Sequence, residues 1–196
     1  QLSEQRRTAL IPYIVAGDPG QDVTVELMHR LVDRGADIIE LGVPFSDPMA
    51  EGPVIQQAHE RALANGTTLA AVLRMVQDFR KSDSTTPVLL MGYANPVMHM
   101  GYAAFADAAA AVGLDALLTV DIPPEEVDGI NAELQRVGMD NIFLVAPTTP
   151  EERIARIAAR ASGFIYYVSL KGVTGAGHLD TGEVARRLDA IRSRSH

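Results

Sequence analysis

Six apolar runs, opening near residues 9, 37, 87, 115, 141 and 163, each close on a glycine, a turn or a polar residue and lead into a helical pattern. This recurrence constrains the fold more than any other feature of the chain. A strand that is followed by a helix before the next strand has no hairpin partner, so the alternation predicts a parallel sheet covered by helices, an α/β fold. The runs Ala9 to Val15, Asp37 to Leu41, Pro87 to Tyr93, Leu114 to Val120, Asn141 to Ala146 and Gly163 to Ser169 are continuous rather than alternating, as strands buried on both faces are. The spacing suits an open doubly wound sheet as well as a barrel. In both, the loops at the carboxyl ends of the strands share one rim, and side chains with chemistry collect there.

The helices follow from the apolar period and from breakers. Val23, Leu27, Leu31 and Val32 share a face before Gly35, Pro53 to Leu63 reads as a short helix, and Leu69 to Arg80 as an amphipathic one. Further on, an alanine-rich helix spans Tyr102 to Val112, and a helix entered at Pro123-Pro124-Glu125-Glu126 carries the stripe Val127, Ile130, Leu134 and Val137. Glu151 to Ala161 and about Thr181 to Arg192 complete the set. No linker or low-complexity tract divides the chain, so residues 1–196 read as one domain.

Charge and composition narrow the partners. With 17 Lys and Arg against 25 Asp and Glu the net charge is −8, and no basic cluster is present to meet a phosphate backbone, so nucleic acid is not expected. The absence of cysteine removes thiolate chemistry and disulfides and fits a cytoplasmic protein. No apolar run approaches the ~20 residues that span a bilayer, so no membrane partner is expected.

At the strand ends stand Asp18, Glu40 with Asp47 and Glu51, Tyr93 with Asn95, Asp121, and Tyr166, and a Gly-rich loop runs from Gly172 to Gly177. Glu40 is the residue that demands an explanation. A carboxyl set between Ile39 and Leu41 is costly to bury, and burial raises its pKa toward the range of a general acid at neutral pH. The others have plainer readings. Asp18 and Asp47 precede prolines and fit turns or caps, and Asp121 is similarly placed. Tyr13, Tyr93 and Tyr166 fit core aromatics with satisfied hydroxyls, and Glu51 alone reads as a solvated loop residue. His29, His59, His99, His178 and His196 lack metal-ligand spacing and strand-end positions, so no metal site is expected. The Gly172 to Gly177 loop has no Walker pattern, though its backbone N–H groups suit a phosphate.

Six ordered segments together resemble the tryptophan synthase alpha family. They are Pro12 to Pro19 (PYIVAGDP), Glu40 to Pro48 (ELGVPFSDP), Gly52 to Gln56 (GPVIQ), Met91 to Pro96 (MGYANP), Asp121 to Pro123 (DIP) and Gly172 to Ala176 (GVTGA). The resemblance implies a (βα)8 TIM-barrel fold, of which about six βα units lie in the chain, and a chain truncated before the last two units is the expectation. It also implies retro-aldol cleavage of indole-3-glycerol phosphate to indole and glyceraldehyde 3-phosphate in tryptophan biosynthesis. Glu40 would protonate the indole ring at C3 and help take the proton from the side-chain hydroxyl. The residue at 51, usually Asp in the family and here Glu51, would hold the indole N–H.

By the same matching Tyr13, Met91 and Leu118 would line the indole pocket, with Tyr166 near Glu40. Thr174 would meet the carboxylate at 51 when its loop closes, and Gly175 would help bind phosphate. Asp47 would lie on the loop facing a beta subunit, in an alpha2-beta2 complex that receives the indole. No cofactor is implied for this chain, pyridoxal phosphate belonging to that partner. Two other functions also fit the resemblance: a free-standing indole-releasing lyase, and a catalytically weak allosteric partner of the beta subunit.

Overall fold

The structure, a computed structural model, describes residues 7–169 and 181–192. Its elements run β1 (Tyr13–Val15), α1 (Gln21–Asp33), β2 (Ile39–Gly42), α2 (Pro53–Ala64), α3 (Leu69–Arg80), β3 (Val88–Gly92), α4 (Ala94–Met100), α5 (Tyr102–Ala111), β4 (Ala116–Thr119), α6 (Asp128–Arg136), β5 (Asp140–Val145), α7 (Glu151–Ala158), β6 (Ile165–Tyr167) and α8 (Thr181–Arg192). The strands form one parallel sheet in chain order, β1 to β6, and among the described residues β1 and β6 each pair on one side. Sequential parallel neighbours with a helix between each pair are the pattern of a barrel wall rather than of an open doubly wound sheet, whose strand order reverses.

The side-chain period of two sorts each strand between two layers. Ile39, Leu41, Val88, Leu90, Leu117, Phe143 and Val145 point outward, into a core shared with Met28, Val72, Val76, Phe79, Phe105, Ile130 and Ile154 of the helices. Leu89, Ala116, Leu118 and Ile142 point inward, with Met91, Val120, Leu144 and Tyr166 partly buried beside them. The register lines up Tyr13, Glu40 and Leu89 across β1, β2 and β3, and Gly42, Met91 and Leu118 across β2, β3 and β4. Glu40 therefore stands in the inner row.

Several sequence expectations are corrected. β1 begins at Tyr13 rather than Ala9, because Pro12 has no N–H for the ladder. On α1 the buried residues are Thr24 and Met28, while Val23 is 39% exposed; the Thr24 hydroxyl accepts the Gly17 N–H at 2.9 Å and turns that face toward the β1 turn. Helix α4, absent from the sequence expectations, starts at Ala94: its Pro96 falls in the first turn, where no N–H is needed, and Asp121 accepts the Ala94 N–H at 2.8 Å. Helix α6 begins at Asp128 instead of Pro123, the residues between forming turns that include the Glu126 N–H to Pro123 carbonyl bond. Val127, Ile130 and Leu134 are buried as the stripe required. The Thr174 and Gly175 expectations lie outside the described residues.

Candidate active site

Glu40 is 3% exposed and ends up inside the wall, flanked in register by Tyr13 on β1 and Leu89 on β3. Its backbone is spent on the ladder, the N–H going to the Pro12 carbonyl at 3.0 Å. The side chain has less company: Oε1 is buried and has no hydrogen-bond partner among the described residues. Burial first, and the charge of Glu51 second, raise its pKa from 4.5 to about 7. This is the shift expected of a carboxyl between Ile39 and Leu41.

Glu51, expected to be solvated, is 6% exposed. The β2–α2 loop folds back over the strand ends and carries it inward. The Glu51 N–H donates to the Pro48 carbonyl at 3.0 Å, Gln56 donates to the Glu51 carbonyl at 2.9 Å, and the Ala50 N–H donates to the Tyr93 hydroxyl at 3.0 Å. Phe45 stacks on the Tyr93 ring with centroids 4.9 Å apart. Tyr93 is thus a buried brace for the loop, beyond the core aromatic that its position suggested.

The electrostatics show which groups share the space. Burial raises the Tyr13 hydroxyl pKa, with Glu51 and Glu40 adding to it. Burial also raises that of Tyr166, with Glu40 and then Glu51 adding. Both phenols stay protonated at any physiological pH and serve as hydrogen-bond donors or acceptors. Met91 and Leu118 pair in register on the inner surface with Tyr166 packed beside them, while Tyr13 stands in register with Glu40 and packs against Val15, Ala58 and Ala62.

Other strand-end residues are elsewhere employed. Asp18 is held by Arg61 through two bonds of 2.7 and 2.9 Å, Asp121 caps α4, and Asn95 lies exposed on that helix. Asp47 is exposed at the tip of the β2–α2 loop, where its carbonyl accepts the Met49 N–H at 2.8 Å and its carboxylate takes the Ser46 hydroxyl. One residue was passed over in the sequence. His59 is 2% exposed, with Nδ1 3.0 Å from the Phe45 nitrogen and Nε2 3.4 Å from the Tyr13 hydroxyl. Its signal was its spacing from Ile55, Ala58 and Ala62, which puts a histidine on the apolar stripe of α2.

Gly42 shows how tightly this corner is built. A Cβ there would lie 2.3 Å from the Tyr13 hydroxyl oxygen and 2.8 Å from its ring carbon Cζ. We expect Gly42→Ala to push the Tyr13 ring out of place, at a cost of about 1–3 kcal/mol in stability. The accompanying loss in kcat/KM should be about 10–100-fold, read from denaturant titration and steady-state kinetics together.

A parallel βα wall in chain order, with the two buried carboxyl groups Glu40 and Glu51, is that of a TIM-barrel-type α/β protein with a candidate acid–base site. The comparisons place it further. The family described as Tryptophan synthase alpha chain matches residues 1–196. The chain is 62% identical to the tryptophan synthase alpha chain of Thiobacillus denitrificans over 191 residues, 97% of this chain and 70% of that one. It is 63% identical to that of Laribacter hongkongensis, covering 97% and 72%. The crystal structure of tryptophan synthase subunit alpha from Legionella pneumophila superposes with a TM-score of 0.92 at 48% identity, covering 99% of this chain and 71% of that one. A structure of the tryptophan synthase a2b2 complex from Pyrococcus furiosus gives 0.88 at 39%, covering 96% and 75%. The chain belongs to the tryptophan synthase alpha chain family. It is a carbon–carbon lyase of tryptophan biosynthesis with the role of cleaving indole-3-glycerol phosphate.

Proposed function

We propose that Glu40 and Glu51 divide the retro-aldol chemistry between them. Protonated Glu40 gives its proton to C3 of the indole ring, which leaves an indolenine-like cation with the positive charge on nitrogen. The Glu40 carboxylate then takes the proton of the side-chain hydroxyl as the bond between C3 and the carbinol carbon breaks. Its electron pair returns to the ring, so indole and glyceraldehyde 3-phosphate leave and Glu40 ends protonated, as it began. Glu51 accepts a hydrogen bond from the ring N–H and opposes the positive charge there. Tyr13, Met91 and Leu118 line the indole, with Tyr166 beside Glu40.

The observation that carries this reading is the Glu40 side chain: buried, with one oxygen unpartnered among the described residues and a pKa of about 7, so that both protonation states are populated at working pH. A group that must both give and take a proton in one turnover needs that balance. The neighbouring carboxylate at 51 supplies negative charge where the cation develops.

The indole would pass to a beta subunit in an alpha2-beta2 assembly in the cytoplasm. Supporting this, the loop tip around Asp47 carries Met49, which is 76% exposed, and Met98 of α4 is exposed on the same rim. Exposed apolar side chains of that size suit contact with another chain. Steady-state indole release from indole-3-glycerol phosphate by the full-length protein, with and without a beta subunit, tests the assignment. Release that rises on adding the partner is expected, and no release under either condition would overturn the lyase reading.

A further inference from the structure

His59 has no part in the chemistry just described, yet both of its ring nitrogens are engaged. The residue is buried on α2 next to Ala58 and contacts Tyr13 of β1, both members of a cluster with Val15, Ala62 and Ile55. A backbone N–H has only a proton to offer, so the 3.0 Å contact from the Phe45 nitrogen requires an unprotonated Nδ1. The ring is then neutral with its proton on Nε2, and the 3.4 Å contact there is a donation to the Tyr13 hydroxyl oxygen. Burial pushes the imidazole pKa below the usual histidine value, which keeps this neutral form.

Each contact leads to the site. Phe45 lies on the β2–α2 loop that also carries Glu51, and the same loop is held further along by the Ala50 N–H to Tyr93 bond. The segment is therefore tied at two points, one on α2 and one at the end of β3. With its oxygen accepting from His59, the Tyr13 hydroxyl keeps its own proton to donate, and the carboxylates whose charges act on it are Glu51 and Glu40. We propose that His59 is a positioning residue, which through the Phe45 backbone sets the reach of Glu51 and through Tyr13 sets the direction of a hydroxyl beside both carboxylates. The proposal rests on the reading of Glu40 and Glu51 as the acid–base pair.

Three substitutions separate the two contacts in the full-length protein. In His59→Asn the amide oxygen lies near the Nδ1 position, in His59→Gln the amide nitrogen lies near Nε2, and His59→Ala supplies neither. His59→Ala should lose about 10–100-fold in kcat with KM changed less than about threefold, because misplacing a reacting group by ~1 Å costs rate more than binding. His59→Asn should recover most of that loss and His59→Gln less, independently of their melting temperatures. Nitrogen NMR of the unsubstituted protein should show a neutral ring with Nδ1 bare and Nε2 protonated at pH 6. A protonated Nδ1, an Asn variant as slow as Ala, or losses that track melting temperature would each overturn the proposal. Failure of the lyase reading looks different: the unsubstituted protein would release no indole, while NMR would still report the tautomer.

Discussion

Glu40→Gln should abolish indole release, by about 10³-fold or more, while making the protein more stable above neutral pH. The two effects have one cause. A Gln amide has no proton to give to C3 and no basic oxygen to take one from the hydroxyl, so both roles of the acid vanish at once; positioned acid–base groups typically contribute about 10²–10⁴-fold each. Stability moves the other way. The folded pKa of about 7 lies above the ordinary 4.5, so between those values the folded protein holds a proton that the unfolded chain has released. Stability contributed by Glu40 is then full below about pH 4.5 and lost as pH rises through 7, the whole change amounting to about 3 kcal/mol. The Gln variant has no such loss. Guanidinium unfolding at pH 5 and pH 8 should show the native protein weakening across the interval by about 2–3 kcal/mol more than Glu40→Gln. Equal pH slopes would mean that Glu40 is not held in its costly place, and unchanged turnover would remove it from the mechanism.

The wall of the fold was legible because each of its strands is a continuous apolar run and each helix has its own breaker. Leu69 to Arg80 emerges with the expected bounds, and its start is fixed locally, the Thr68 hydroxyl accepting the Ala71 N–H. Glu40 was legible for a related reason: a charge between two apolar residues that both pack into the core contradicts its surroundings, and a contradiction shows in a single sequence. What did not show was anything set by a partner outside the element itself. Helix α4 depends on Asp121, 27 residues further along, to accept its first N–H. The burial of Glu51 depends on Tyr93 and Gln56 holding its loop down, and polar loop residues by themselves look solvated. The phase of α1 follows a hydroxyl of Thr24 that meets Gly17, against the pull of Val23 as an apolar residue. His59 failed the test of metal spacing and strand ends, although its place on an apolar stripe was visible.

Glu51 leads to the other large effect. Glu51→Ala should lower kcat by about 10²–10³-fold, the range for removing one group that stabilises charge developing in a transition state. It should also change the pH profile. The charge of Glu51 is the second cause of the raised Glu40 pKa, so without it Glu40 titrates lower and loses its proton at lower pH. Since the acid must start protonated, the alkaline limb of kcat/KM moves toward lower pH in the variant. Glu51→Asp probes length instead of charge. The backbone at 51 is tied to Pro48, to Gln56 and, through Ala50, to Tyr93, so a side chain shorter by one methylene withdraws its carboxylate by about 1.5 Å without the loop following. A displacement of that order should slow turnover by about 3–30-fold. The Asp variant keeps its charge and should keep an alkaline limb close to the native one, which separates distance from electrostatics. If Glu51→Ala turned over at the native rate, or if its alkaline limb stayed where it was, the second carboxylate would have no part in either the charge of the intermediate or the tuning of the acid.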